Sequence, residues 1–424
     1  MPDLTSEQTR CLAAVDHAAM VADLAELVAI PSVTGTDAEA DAQAWMAHRM
    51  DAMGLQVDHW QMDVEALTAA DGYPGREAAR SQAWGLVATT VPTGDGPTLI
   101  LQGHVDVVPP GDLGRWPGRD PFAARVQSGS MHGRGTVDMK AGLVCNLAAL
   151  AAVQAAGVAL RGTVALHSVV SEEDGGLGAF GTLARGYTGD ACIITEPTSG
   201  TVICANAGAL TFELTVPGQA THGATPYAGH SAVDAYLPLH AALAELEAER
   251  NVDVDDLMAE YPLAYPISVG TVRAGDWAST VPDLLTVSGR MGVAIGEDPA
   301  RAREALSQRV ASVCAADPWL RDHPATVRWP GGQFASGALP AGHPLLALVQ
   351  DAVADANRVP RPRPRAAPYG SDLRLYSAAG IPTVHLGPGE VRHAHSPDEQ
   401  VPLAQLQTVT FALVLAILRM TAAT

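Results

Sequence analysis

Four groups of residues along the chain have the types and spacing that hold divalent cations and move protons. In Gln102-Gly103-His104-Val105-Asp106, a histidine and a carboxylate two residues apart share one side of an extended chain. Asp106 can then accept the second N–H of the His104 ring and orient it. Gly133-Arg134-Gly135-Thr136-Val137-Asp138-Met139-Lys140 sets Asp138 at the start of an apolar helical run. In Ser171-Glu172-Glu173-Asp174, successive carboxylates point in different directions, so one can bind a cation while its neighbour handles a proton. The fourth group pairs Thr195-Glu196-Pro197 with His393-Ala394-His395-Ser396-Pro397-Asp398-Glu399. Taken singly, these are a core histidine, a helix cap, a solvated acidic turn and two ordinary loops. Together, two histidines and several carboxylates suit a pair of borderline ions such as zinc, cobalt or manganese. Two dications, three ligand carboxylates and one bridging hydroxide sum to zero charge, which leaves one more glutamate free as a base.

The elements that must position these groups follow from apolar periodicity. Helices are expected over about Thr9 to Ile30 and Asp37 to Met53. Then β-branched runs alternate with helical ones: strand Thr98 to Gln102, helix Lys140 to Ala156, and strands Thr163 to Val170 and Ala191 to Thr195. This rhythm predicts a mostly parallel, buried sheet, and the candidate ligands follow its strands, where open α/β sheets place their sites. After Thr198 the texture changes to strand Leu210 to Val216, helix Ser231 to Arg250, strands near Ile267 and Leu284, and helix Pro299 to Ala315. Two strand pairs and two helices make an inserted α+β unit, after which the first texture returns with helix His343 to Asn357, a strand near Thr383 and a terminal helix Leu403 to Met420. The fold class is therefore α/β, a mostly parallel sheet flanked by helices and interrupted by an α+β domain. The expected division is 1–206 and 335–424 for the first domain and 207–334 for the insert.

Composition narrows the classes of function. With 26 basic against 46 acidic residues the formal net charge is −20, which disfavours nucleic acid or an anionic bilayer as a partner. The apolar stretch Val409 to Leu418 is about half the length a bilayer needs and reads as a core helix. Five scattered cysteines without a Cys-x-x-Cys pair, and no apolar leader at the N-terminus, lead to the expectation of a cytoplasmic protein with reduced thiols. The chain has 25 arginines and a single lysine, Lys140. Gly176-Leu177-Gly178-Ala179-Phe180-Gly181 matches a dinucleotide fingerprint, with Glu196 about 20 residues further on, and so offers a remote NAD-dependent dehydrogenase reading. The acids Glu172, Glu173 and Asp174 beside it would repel a pyrophosphate.

In their order, the motifs resemble the co-catalytic metallohydrolase family of acetylornithine deacetylase, succinyl-diaminopimelate desuccinylase, aminoacylase and glutamate carboxypeptidase. The resemblance runs from Leu27-Val28-Ala29-Ile30-Pro31-Ser32 to the terminal helix. It includes Trp116, Asp120-Pro121-Phe122, the Gly133 to Lys140 string and Gly387-Pro388-Gly389. It implies that Asp138 bridges two metals, that His104 and Glu196 complete one site and Glu173 and His395 the other, that Asp106 orients His104, and that Glu172 is the general base. The ions implied are zinc, with cobalt or manganese as alternatives. The insert resembles the family's lid and dimerisation domain. Pro217-Gly218-Gln219-Ala220-Thr221-His222-Gly223 is similar to the turn whose histidine reaches the scissile carbonyl in the partner subunit, which implies a homodimer with His222 acting in trans. Arg290 matches the arginine that holds a substrate carboxylate, and Gly370-Ser371-Asp372 the glycine loop beside the metals. One departure is Ser279-Thr280-Val281-Pro282, where the family has Asn-x-x-Pro; the hydroxyl of Ser279 cannot make the two-ended contacts of an amide. The activity implied is hydrolysis of the amide of an N-acyl amino acid or related small N-acylated amine, a hydroxide held by the metals attacking. A di-metal exopeptidase is the alternative.

Overall fold

The computed structural model describes residues 4–422. Its main sheet has nine strands, eight of them in the spatial order Gln56–Gln61, Trp84–Thr89, Thr163–Val169, Thr98–His104, Ala191–Ile194, Thr383–His385, Ile203–Asn206 and Gly337–Ala338, while Arg365–Ala367 also pairs with Ile203–Asn206. The central four, from Thr163–Val169 to Thr383–His385, are parallel. Gln56–Gln61 and Trp84–Thr89 extend one edge antiparallel. The central strands are apolar at almost every position because both faces are covered. Leu99 and Leu101 pack with helices Ala141–Ala155 and Leu403–Thr421, while Ile100 and Ile194 face helices Leu177–Ala184 and Leu373–Ala378. The terminal helix has 19 residues, and its apolar side chains Leu406, Val409 and Leu413 to Leu418 are buried in this core. All five cysteines are free and buried.

A separate antiparallel sheet is built from Ile267–Ala274, Leu284–Val293, Gly208–Pro217 and Thr326–Arg328, with Gln333–Phe334 also pairing to the long central strand. Strict alternation on Gly208–Pro217 buries Leu210, Phe212, Leu214 and Val216 against helices Ala232–Arg250 and Pro299–Ala316. Its other face, carrying Thr211, Ser288 and Arg290, looks toward the main sheet's ligand-bearing loops. The insert thus has five strands where periodicity predicted two pairs, because runs of two or three residues carry no legible alternation.

The expected first helix is two helices, Ser6–Ala13 and His17–Ala29. Asp16 causes the break: its carboxylate accepts from the backbone N–H of Ala19 and caps the second helix. The far end of that second helix explains the lone lysine. Lys140 is fully buried, and its Nζ donates to the carbonyls of Leu27 (3.0 Å) and Ile30 (2.8 Å), which also accept the backbone N–H groups of Ile30 (3.2 Å) and Ser32 (2.8 Å) in turn. Burial pushes its ammonium down to about 7, opposed by Glu399 and Asp106. Lys140→Met is expected to lower stability by about 2 kcal/mol, since it removes two buried charge-assisted hydrogen bonds at the helix end. Urea denaturation checks this; a loss under about 0.5 kcal/mol would mean the helix end is satisfied by other means.

Candidate metal centre

Three strand ends deliver the first ligands. His104 is the last residue of its strand, Glu196 lies two residues beyond Ile194, and Glu172 and Glu173 sit in the turn after Val169. Asp138 stands in the turn Thr136–Lys140 that opens helix Ala141–Ala155, and the Asp138–Met139 peptide is cis. His395 arrives from the far end of the sequence, in the loop after Thr383–His385, with φ at +58°.

These groups form two overlapping sets, His104 with Asp138 and Glu196, and Asp138 with Glu173 and His395; within each, the ligand atoms lie within 4.8 Å of one another. Asp138 directs Oδ1 to His104 Nε2 (3.3 Å) and Oδ2 to His395 Nε2 (3.4 Å). His104 Nε2 is 3.8 Å from Glu196 Oε1, and His395 Nε2 is 3.1 Å from Glu173 Oε2. Two ligands roughly 2.0–2.2 Å from a tetrahedral ion stand about 3.3–3.6 Å apart, so the spacing fits two ions sharing one carboxylate. Glu172 belongs to neither set. Its Oε2 is 4.0 Å from His104 Nε2, and its Oε1 is buried without a hydrogen-bond partner.

The electrostatics show a surplus of negative charge. Burial first, then neighbouring acids, push Glu172, Glu173 and Glu196 above the usual carboxylate range. His395 is raised to about 11, chiefly by Glu173. For His104, burial opposes the charge but is outweighed by Asp138, Asp106, Glu196 and Glu172. Asp138 is held low despite its burial, by hydrogen bonds from both histidines. Divalent cations would neutralise such a cluster and return the histidines to neutral donors.

Asp106 does more than the expected orientation of His104, and does it differently. The nearest acceptor for His104 Nδ1 is the backbone carbonyl of Asp106, at 2.9 Å, with carboxylate Oδ1 at 3.5 Å. A carbonyl accepts only from a protonated Nδ1, which leaves Nε2 to face the ions. The Asp106 carboxylate instead receives the backbone N–H groups of Glu172 and Glu173 (3.2 Å each) and the Thr34 hydroxyl (2.5 Å). One residue therefore fixes both the histidine and the paired acids.

Motif reading gave no role to several residues that shape the site. Glu399, fully buried, accepts from the backbone N–H of Gly135 (2.8 Å) and Val137 (3.2 Å) and from Arg134, and so holds the turn that presents Asp138. Arg80, buried, bridges Glu39 and Asp174 and ties the acidic turn to helix Ala38–Ala52. An alternation signal could not reveal either, because their partners are distant in sequence. Tyr369 was also unmarked.

A pocket of about 650 Å³ opens beside the acids, lined by Asp138, Glu172, Glu173, Glu196 and His395 on one side and by the insert's sheet on the other. Arg290 is the only arginine or lysine among the described residues lining it. Its Nη2 donates to the Pro368 carbonyl (3.2 Å). Gly370 also lines it, and a Cβ there would lie 2.6 Å from Phe334 Cβ, so the loop can take this course only with glycine. His222 and Ser279 do not line the pocket. They sit at the exposed tip of the insert, where Gly223 N–H donates to the Ser279 carbonyl (2.6 Å) and His222 pairs with Thr280. The glycines of the dinucleotide-like string pack helix Leu177–Ala184 onto the sheet: a Cβ on Gly178 would lie 2.4 Å from the Val170 carbonyl, and one on Gly176 would lie 2.8 Å from Asp372 Oδ1. The start of this helix thus lies against the Asp372 carboxylate, which would repel a pyrophosphate.

Comparison with known proteins agrees with this geometry. Residues 100–419 match the model of Peptidase family M20/M25/M40. N-formyl-4-amino-5-aminomethyl-2-methylpyrimidine deformylase of Halalkalibacterium halodurans is 27% identical over 399 residues, 88% of this chain and 87% of that protein. Succinyl-diaminopimelate desuccinylase of Xanthomonas euvesicatoria is 28% identical over 397 residues, 91% of this chain and 94% of that protein. Among solved structures, the dipeptidase Dug1p of Saccharomyces cerevisiae superposes with a TM-score of 0.78 at 14% identity, covering 97% of this chain and 98% of that one. Human carnosine dipeptidase 1 gives 0.77 at 14% identity, covering 99% of each. At that identity the structural likeness is one of fold.

Proposed function

The chain belongs to peptidase family M20/M25/M40, whose members are metal-dependent amidohydrolases and peptidases that typically bind two metal ions, and from that premise we propose that it removes the acyl group of an N-acylated amino acid or related small amine. The observation that carries the reading is Glu172, unpaired at Oε1 beside two ligand sets that share Asp138, at the floor of a pocket holding Arg290. In this reading His104, Asp138 and Glu196 hold one ion and Asp138, Glu173 and His395 the other, with zinc, cobalt or manganese suited to the donors. Ions held by these residues would supply Lewis acidity toward a water and an amide carbonyl. Glu172 takes the proton of the attacking water and delivers it to the leaving nitrogen, a double duty suited to a carboxyl whose buried surroundings raise its proton affinity. Arg290 receives a substrate carboxylate, and Gly370 keeps the facing loop free of a side chain.

Relatives named for deformylation and desuccinylation, aligned over about nine-tenths of the chain, support a deacylase. The test is a turnover screen of N-formyl, N-acetyl and N-succinyl amines against dipeptides, on protein loaded with zinc, cobalt or manganese. Turnover of dipeptides alone would replace the deacylase with an exopeptidase, and turnover of neither class would end the proposal.

The proposal extends to a cytoplasmic homodimer joined through the insert. Free, buried cysteines fit a reducing compartment. Strand Ile267–Ala274 is an edge of its sheet, and Val272 on it, Leu284, and Val233 and Leu237 on helix Ala232–Arg250 are exposed apolar side chains. A dimer would also give the tip residue His222 a site to serve, namely the partner's. Mixing inactive Glu172→Gln and His222→Ala chains is then expected to restore activity, up to about a quarter of wild type, since half of randomly paired dimers have one intact site. No recovery, with mixed dimers verified by mass, would overturn the action of His222 in the partner's site.

A further inference from the structure

Arg290 shares its wall of the pocket with one acid that the reaction does not use. Among the described residues five carboxylates line the pocket; Asp138, Glu173 and Glu196 belong to the ligand sets and Glu172 is the base, which leaves Glu77. Glu77 stands apart from the other four. Its Oε1 accepts from the hydroxyl of Thr211 (2.7 Å) on the insert's strand Gly208–Pro217, and Thr211 is the residue directly opposite Arg290 on the neighbouring strand Leu284–Val293. Side chains paired in this way share a face, with Cβ atoms about 5 Å apart. One anion and one cation therefore stand together across the pocket from the ligand cluster. Each has a neutral partner, the Thr211 hydroxyl for Glu77 and the Pro368 carbonyl for Arg290.

Glu77 is exposed, yet its place is fixed. Its backbone N–H donates to the carbonyl of Asp174 (3.1 Å), and that of Ala78 to the Asp174 carboxylate (2.9 Å), in the turn that carries Glu172 and Glu173. On the other side, the N–H of Gln333 in the insert donates to the Pro74 carbonyl (2.9 Å). Gly331, with φ at +76°, leaves room for the acid's stem, since a Cβ there would lie 2.7 Å from Glu77 Cγ. The segment is thus tied to both the acidic turn and the insert, and the carboxylate is positioned before any ligand arrives.

We propose that Glu77 is the specificity-determining residue of this pocket: it receives an ammonium group of the substrate while Arg290 receives the carboxylate, so the preferred substrate is an N-acylated diamino acid. The inference rests on the amide-hydrolase reading. Because both charges lie on the insert's wall, the two complementary groups belong to the amine portion, on one side of the scissile amide. A dipeptide, whose ammonium and carboxylate lie on opposite sides of that amide, does not match the pair.

Glu77→Gln removes the charge and keeps an oxygen for Thr211. Wild type and variant, both loaded with zinc, are titrated calorimetrically with L-lysine and with L-norleucine, which has the carbon chain of lysine without the side-chain ammonium. Wild type is expected to bind L-lysine at least about 5-fold more tightly than L-norleucine. In Glu77→Gln that preference is expected to vanish, with two zinc ions per chain and an unchanged unfolding temperature. On the Nα-acetyl derivatives the same preference is expected to lie in KM, since the contact is made equally in the ground state and the transition state. Equal binding of the two ligands by wild type, binding of neither, a preference that survives in Glu77→Gln, or one lost only together with zinc would each overturn the assignment. Should the wild type hydrolyse no acyl amide, the proposed function falls on its own, while the calorimetric comparison still judges Glu77.

Discussion

Glu172→Gln is expected to keep two divalent ions per chain and to lower turnover at least about 10³-fold. The argument is geometric. Glu172 lies outside both ligand sets, so replacing its carboxylate by an amide of the same shape subtracts no ligand. Its backbone is held by Asp106, whose carboxylate accepts the Glu172 N–H whatever the side chain, so the turn should keep its course. What the amide cannot do is accept the proton of a water molecule and pass it to a leaving nitrogen, and both halves of the reaction need that transfer. Elemental analysis and steady-state kinetics on the same sample separate the two effects. Full activity would remove Glu172 from the chemistry, and loss of an ion would make it a ligand instead of a base.

Asp138→Ala is expected to leave the protein without either ion after gel filtration, and so without measurable turnover. Asp138 is the one residue common to the two sets, offering a different oxygen to each. Its removal leaves His104 with Glu196 on one side and His395 with Glu173 on the other, two donors apiece where a structural or catalytic ion needs at least three. His395→Ala provides the contrast, since it touches one set only and should lower the content toward a single ion per chain. Two ions retained in Asp138→Ala would refute the shared carboxylate, and an unchanged content in His395→Ala would strike that histidine from the set.

Much of the site could be read before any fold was known, for a simple reason. His104, Glu172, Glu173 and Glu196 each follow an apolar run that reads as a buried strand, and a parallel sheet carries the ends of such strands to one edge. Local chemistry was therefore enough to gather four of the candidates. Asp106 was legible as a partner of His104, but the actual acceptor, its own backbone carbonyl, is invisible to a count of side chains. The split of the expected first helix at Asp16 was missed because apolar spacing continued across a residue whose carboxylate caps a new helix.

By itself, the amino-acid sequence determined the kinds of donors, their order, the buried parallel sheet that carries them and the interrupted domain. Those follow from side-chain chemistry and from periodicities of two and 3.6 residues, which act over a few neighbours. Only the tertiary structure decided that Glu399 supports a turn 264 residues earlier at Gly135, that Lys140 closes a helix 113 residues away at Leu27, and that the Tyr369 hydroxyl is buried without a partner among the described residues. It also set Arg290 on the pocket wall, and His222 and Ser279 together at an exposed tip. Such pairings depend on how the chain closes over long separations, and no local pattern of residues encodes which carbonyl a buried ammonium or carboxylate will meet.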